Sequence, residues 1–69
     1  MSTESKKVVK ILYTNYRGET NFRNIIPETL WFGVTIWHKE EQWLLDAYDI
    51  EKDAVRNFAM RDIRVWTVA

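Results

Sequence analysis

The stretch Gln42-Trp43-Leu44-Leu45-Asp46-Ala47-Tyr48 decides how this chain is read. Trp43, Leu45 and Ala47 alternate with Leu44, Asp46 and Tyr48, so a strand here would be apolar on nearly both faces. Such a strand belongs inside a sheet, with neighbours on both sides. A helix competes for the same residues, because Glu40, Leu44, Ala47 and Glu51 fall at spacings of three and four. The β-rich sequence on either side, and the absence of an N-cap box before Glu40, favour the strand.

Toward the N-terminus, Val34 to Gln42 mixes Trp37, His38 and charged residues without a clean period, and reads as a long irregular hairpin connection. Thr29 to Gly33 reads as a short strand, with Gly33 marking a bend. Pro27 lacks an N–H, so it ends ladder pairing or sits at an edge. Thr20 to Ile26 and Lys7 to Tyr13 are rich in β-branched and aromatic residues. Asn15-Tyr16-Arg17-Gly18-Glu19 supplies turn chemistry between them, so the two form a hairpin. Toward the C-terminus, Asp49 to Asp53 is an acidic turn, Val55 to Phe58 a strand, Met60-Arg61-Asp62 a single 3-10 turn, and Ile63 to Val68 a last strand. The sum is an all-β chain of five to six short strands that make a small barrel over residues 7–69, preceded by a polar, flexible tail over residues 1–6.

A chain of 69 residues is near the lower size limit for a fold held by its core alone, and it has no cysteine for a disulfide or thiolate metal site. Ten aromatic residues compensate, and Trp31, Trp37, Trp43 and Trp66 are expected to carry much of the stability, Trp43 by filling the core. Ten basic and ten acidic residues give a net charge of zero, which argues against indiscriminate attraction to phosphate but leaves room for a local basic patch. No apolar run approaches the roughly 20 residues that cross a bilayer, and the first residues lack an apolar signal core, so a cytoplasmic protein with no membrane partner is expected. No nucleophile, general-base network, metal spacing or cofactor loop stands in the sequence. It reads as a protein that recognises rather than transforms, without cofactor or metal.

The order of these segments resembles the WYL domain, a sensor module common in bacterial transcription regulators. The resemblance runs from Lys7 to Trp66. It is carried by Val9-Lys10-Ile11-Leu12-Tyr13 with its Gly-containing turn, Arg23-Asn24-Ile25-Ile26-Pro27-Glu28-Thr29-Leu30, Trp43-Leu44-Leu45-Asp46-Ala47-Tyr48 and Arg56-Asn57-Phe58-Ala59-Met60-Arg61-Asp62-Ile63. It implies a half-open SH3-like or Sm-like barrel, usually joined to a DNA-binding domain that is not among these residues. It also implies a basic groove that senses a ligand such as single-stranded nucleic acid or a nucleotide. The chain departs from the family pattern at Leu44, where the motif has tyrosine, and at Asp62, where an arginine usually precedes the isoleucine and Arg61 is displaced by one.

Arg23 and Arg56 match the family's basic positions, and a guanidinium fork suits phosphate or carboxylate. They are expected on neighbouring strands, with Tyr13 and Arg61 completing a ligand site and Tyr16 able to stack a base. Arg61 also reads as part of a solvated face, and Tyr13 as core. Trp37, in the irregular connection, is the tryptophan most suited to face a protein partner, with His38 beside it as an exposed loop residue. A regulatory ligand-binding module is therefore the leading expectation. The alternative is an adaptor that docks a protein partner, or a second copy in a homodimer, through an aromatic patch or barrel edge.

Overall fold

Asn15 organises the first turn. Its side-chain oxygen accepts the N–H groups of Arg17 (2.9 Å) and Glu19 (3.0 Å), and its carbonyl accepts that of Gly18 (2.9 Å). Gly18 has φ of 82°, a conformation that costs a residue with a β-carbon strain. The turn joins β1 (Val9–Thr14) to β2 (Thr20–Gly33) in antiparallel register, with Val9 opposite Ile25 and Tyr13 opposite Asn21. The computed structural model describes residues 7–68; the tail expected over residues 1–6 lies outside the described residues.

β3 (Gln42–Asp49), β4 (Ala54–Ala59) and β5 (Ile63–Val68) complete one antiparallel sheet in the order β4-β3-β2-β1-β5, and the expected 3-10 turn Met60–Asp62 links β4 to β5. The sheet does not close, which fits a half-open barrel of five strands. Gln42 to Asp49 is extended and interior, flanked by β2 and β4, as its two apolar faces require.

Two expectations are corrected. Thr29 to Gly33 is not a separate strand: β2 runs through Pro27 for 14 residues, with a register shift between Pro27 and Thr29. A bulge bends a strand and raises its twist without ending it. Pro27 is tolerated because β1 stops opposite Ile25, leaving that side of β2 unpaired among the described residues.

The second correction concerns the tryptophans. The core consists of Val9, Ile11, Tyr13, Ile25, Leu45, Ala47 and Phe58, with Met60 and Ile63 packed against it, and it contains no tryptophan. Trp43 is 54% exposed and meets Phe32 edge-on at 5.4 Å. It shares a strand face with Leu45 and Ala47, but its end of the β2–β3 ribbon runs past the end of β1, so no described strand covers it. Leu44 is buried on the opposite face, where its cross-strand neighbours are Trp31 and Ala59. The Trp31 ring lies over Gly33 so closely that a β-carbon there would stand 2.7 Å from Cζ3.

Candidate functional site

The irregular connection between β2 and β3 is held by Thr35, whose hydroxyl accepts the N–H groups of Trp37 (3.1 Å) and His38 (3.0 Å). This turn carries Trp37 to the first hairpin, where its ring lies 5.5 Å from that of Tyr16, tilted by 31°. Beneath the pair opens a cavity of about 430 Å³, a size that suits a small molecule. Tyr13, Arg23 and Arg56, expected to bind a ligand, line it together with Trp37 and His38, which were expected to face a protein partner instead. Tyr16, which the sequence also marked for stacking, forms part of the wall, and Arg17 stands over its ring at 6.0 Å. His38, expected to be exposed, is half-buried because it faces this cavity.

Arg23 and Arg56 are not on neighbouring strands as expected. They sit on β2 and β4 with β3 between them, but alternation along the strands puts both on the same face as Ala47 and Asp49. Their electrostatic roles differ. Arg23 pairs with Asp49 at 3.5 Å, and Asp49 is buried (1% exposed) while accepting the N–H groups of Glu51 and Lys52. The Arg23 charge is thus compensated from within the fold. Arg56 makes no ion pair or side-chain hydrogen bond among the described residues. Among the described residues, Arg56 is therefore the cavity guanidinium without an ion-pair partner.

Tyr13 closes the inner end. Its hydroxyl accepts the Ala59 N–H at 3.2 Å and its ring meets Phe58 edge-on at 4.9 Å. Burial pushes the phenol above its ordinary value; the Ala59 N–H and the nearby Arg23 oppose the rise, and Asp62 adds to it. The phenol stays protonated at neutral pH and keeps its own O–H to donate.

Main-chain groups supply a further wall that sequence reasoning missed. Ile50 N–H bonds the Asn24 carbonyl on β2 (3.0 Å), so even-numbered residues of β3 face β2 and odd-numbered ones face β4. Arg56 and Phe58 then pair with β3, and Val55, Asn57 and Ala59 turn their N–H and C=O groups to the open edge. Ala59 N–H finds Tyr13, and Val55 and Asn57 are among the residues that line the cavity. The Asn57 side chain points the other way, donating to Asp46 at 2.8 Å. Only strand parity reveals such donors. Asp49 was the other residue missed, although a short acid ending an apolar strand before a tight turn is a recognisable capping signal.

Arg61 does not join the site. It projects from the 3-10 turn to Glu40 at 3.3 Å, an exposed pair of the kind a solvated face carries. The two departures from the expected motif pattern, Leu44 and Asp62, fall unequally. Leu44 is buried on the face of β3 away from the cavity, so a leucine there leaves the cavity walls unaltered. Asp62 is not among the described residues that line the cavity, though it contributes to the upward shift of the Tyr13 phenol.

No family model matches the chain, and no curated protein matches it. Among the described residues, no group of three or more His, Asp or Glu is arranged to hold a metal ion, and no helix is long and apolar enough to cross a membrane.

Proposed function

We propose that this protein is a non-enzymatic, WYL-like ligand-binding module that modulates transcription in the cytoplasm. Its cavity takes a small planar anion of low charge, such as a nucleoside monophosphate, a cyclic nucleotide or one phosphodiester unit of a single strand. The observation that carries this reading is the position of Arg56, a guanidinium without a partner among the described residues in a cavity roofed by Tyr16 and Trp37. A guanidinium supplies paired hydrogen bonds to one phosphate, and an aromatic platform stacks a base at about 1–3 kcal/mol. Because Asp49 compensates Arg23, the site matches a single negative charge better than a polyphosphate. The outward N–H and C=O groups of Val55 and Asn57 offer the alternating donors and acceptors that a base edge needs.

NMR titration with a nucleoside monophosphate, a cyclic mononucleotide and a short single-stranded oligonucleotide tests the reading. Shifts are expected at Tyr16, Trp37 and Arg56, with affinity that weakens as salt rises. Arg56→Gln should lower affinity about tenfold and leave stability within about 0.5 kcal/mol, because the side chain makes no ion pair or hydrogen bond among the described residues. Absence of shifts with every probe at millimolar concentration overturns the proposal.

A further inference from the structure

Among the described residues, the second half of β2 presents an open strand edge, separate from the cavity. β1 stops opposite Ile25, and beyond it β2 pairs only with β3 among the described residues. Strand parity shows which groups are left over. Thr29, Trp31 and Gly33 face β3 through Asp46, Leu44 and Gln42, so Leu30 and Phe32 turn their N–H and C=O groups to the open side. Their side chains are more than half exposed, and Trp43 packs against Phe32 to extend the same apolar surface.

Natural sheets guard such edges with charge, proline or a bulge. Here Pro27, Glu28 and the register shift guard only the start; the nine residues from Thr29 to Trp37 carry no charge.

We infer that this edge is the interface of a homodimer in which β2 of one copy pairs antiparallel with β2 of a second across a two-fold axis at Trp31. A second copy fits for three reasons. A two-fold strand pair sets each segment against itself, so any charge would meet its own copy, and none is present. The register centred on Trp31 sets Leu30 of each copy against Phe32 of the other. It is the register that pairs all the outward groups of both residues, in about four main-chain hydrogen bonds. It also gathers Leu30, Phe32 and Trp43 of both copies into one apolar layer, and a net charge of zero opposes no approach.

Sedimentation equilibrium of the full chain from micromolar to millimolar concentration tests this. The expected result is a species of twice the 8.3 kDa chain mass, with amide exchange at Leu30 and Phe32 slowing as the dimer forms. Leu30→Lys and Phe32→Lys, each at an exposed position, should raise the dimer Kd at least tenfold with unchanged circular dichroism. If Phe32→Lys does not fold, Leu30→Lys and the exchange data decide. A chain monomeric at millimolar concentration overturns the inference, as does a dimer whose Kd neither substitution moves. So does a monomer that dimerises only after residues 1–6 are deleted, since that chain would be covering its own edge.

Discussion

Asp49 Oδ2 lies 3.5 Å from Arg23 Nη1, while its Oδ1 accepts the main-chain N–H groups of Glu51 (3.1 Å) and Lys52 (3.3 Å), so one buried acid ties β2 to the β3–β4 turn. Removing one partner of a buried ion pair leaves the other uncompensated. Asp49→Ala should therefore cost on the order of 3 kcal/mol in urea denaturation, and Asp49→Asn, which keeps an acceptor for the turn, clearly less. Equal losses for the two would show that the ion pair, not the turn, is what Asp49 supports.

The Tyr13 hydroxyl satisfies a donor on the β4 edge, and Tyr13→Phe keeps the ring while leaving the Ala59 N–H without its acceptor. A loss of about 1–2 kcal/mol is expected. The pH dependence has a definite sign. The folded phenol holds its proton above the ordinary value of 10.0, so its contribution is complete below that pH and is lost as pH rises through the folded value. Tyr48, raised chiefly by its hydrogen bond to Asp53, acts in the same direction. Thermal melts across the alkaline range should fall more steeply for the parent protein than for Tyr13→Phe; parallel curves would count against a role for this phenol.

Gly33 is required by close approach, since the Trp31 ring occupies the space a β-carbon would take. Gly33→Ala should cost about 1–3 kcal/mol as the indole is displaced. In a double-mutant cycle with Trp31→Leu, most of that loss should vanish. Additive losses would locate the strain elsewhere.

Trp43 and Phe58 make a direct comparison of exposed and buried rings. Trp43→Ala should cost only about 1 kcal/mol, the edge-on contact with Phe32 and part of its apolar area. Phe58→Ala removes a core ring and should cost about 3–5 kcal/mol, enough to unfold so small a protein. Urea midpoints in the reverse order would mean that the ribbon end is covered in solution.

Much of the fold was legible before any coordinates. Turn chemistry at Asn15–Glu19, the two apolar faces of Gln42 to Tyr48 and the 3-10 turn at Met60–Asp62 are local properties, set by side chains acting on their own backbone, and each was found where expected. Of the two readings of Pro27, the edge position held and the end of pairing did not, because a missing N–H is costly only where a neighbouring strand would receive it, and β1 ends too early to be that neighbour. The candidate site was legible as residue types: Arg23, Arg56, Tyr13, Trp37 and His38 were all named from the sequence. Their convergence was not, because it depends on Thr35 turning the long connection back onto Tyr16 and on β3 lying between the two arginines.

The amino-acid sequence by itself determined the strands, their turns and the kinds of group available for recognition, since periodicity and turn preference act over a few residues. Only the tertiary structure decided which aromatic rings are buried and which arginine keeps its charge for a ligand. Both follow from where strands end relative to one another. The early stop of β1 leaves Trp43 uncovered, and the packing of Asp49 against Arg23 compensates one guanidinium while Arg56 stays unpaired among the described residues.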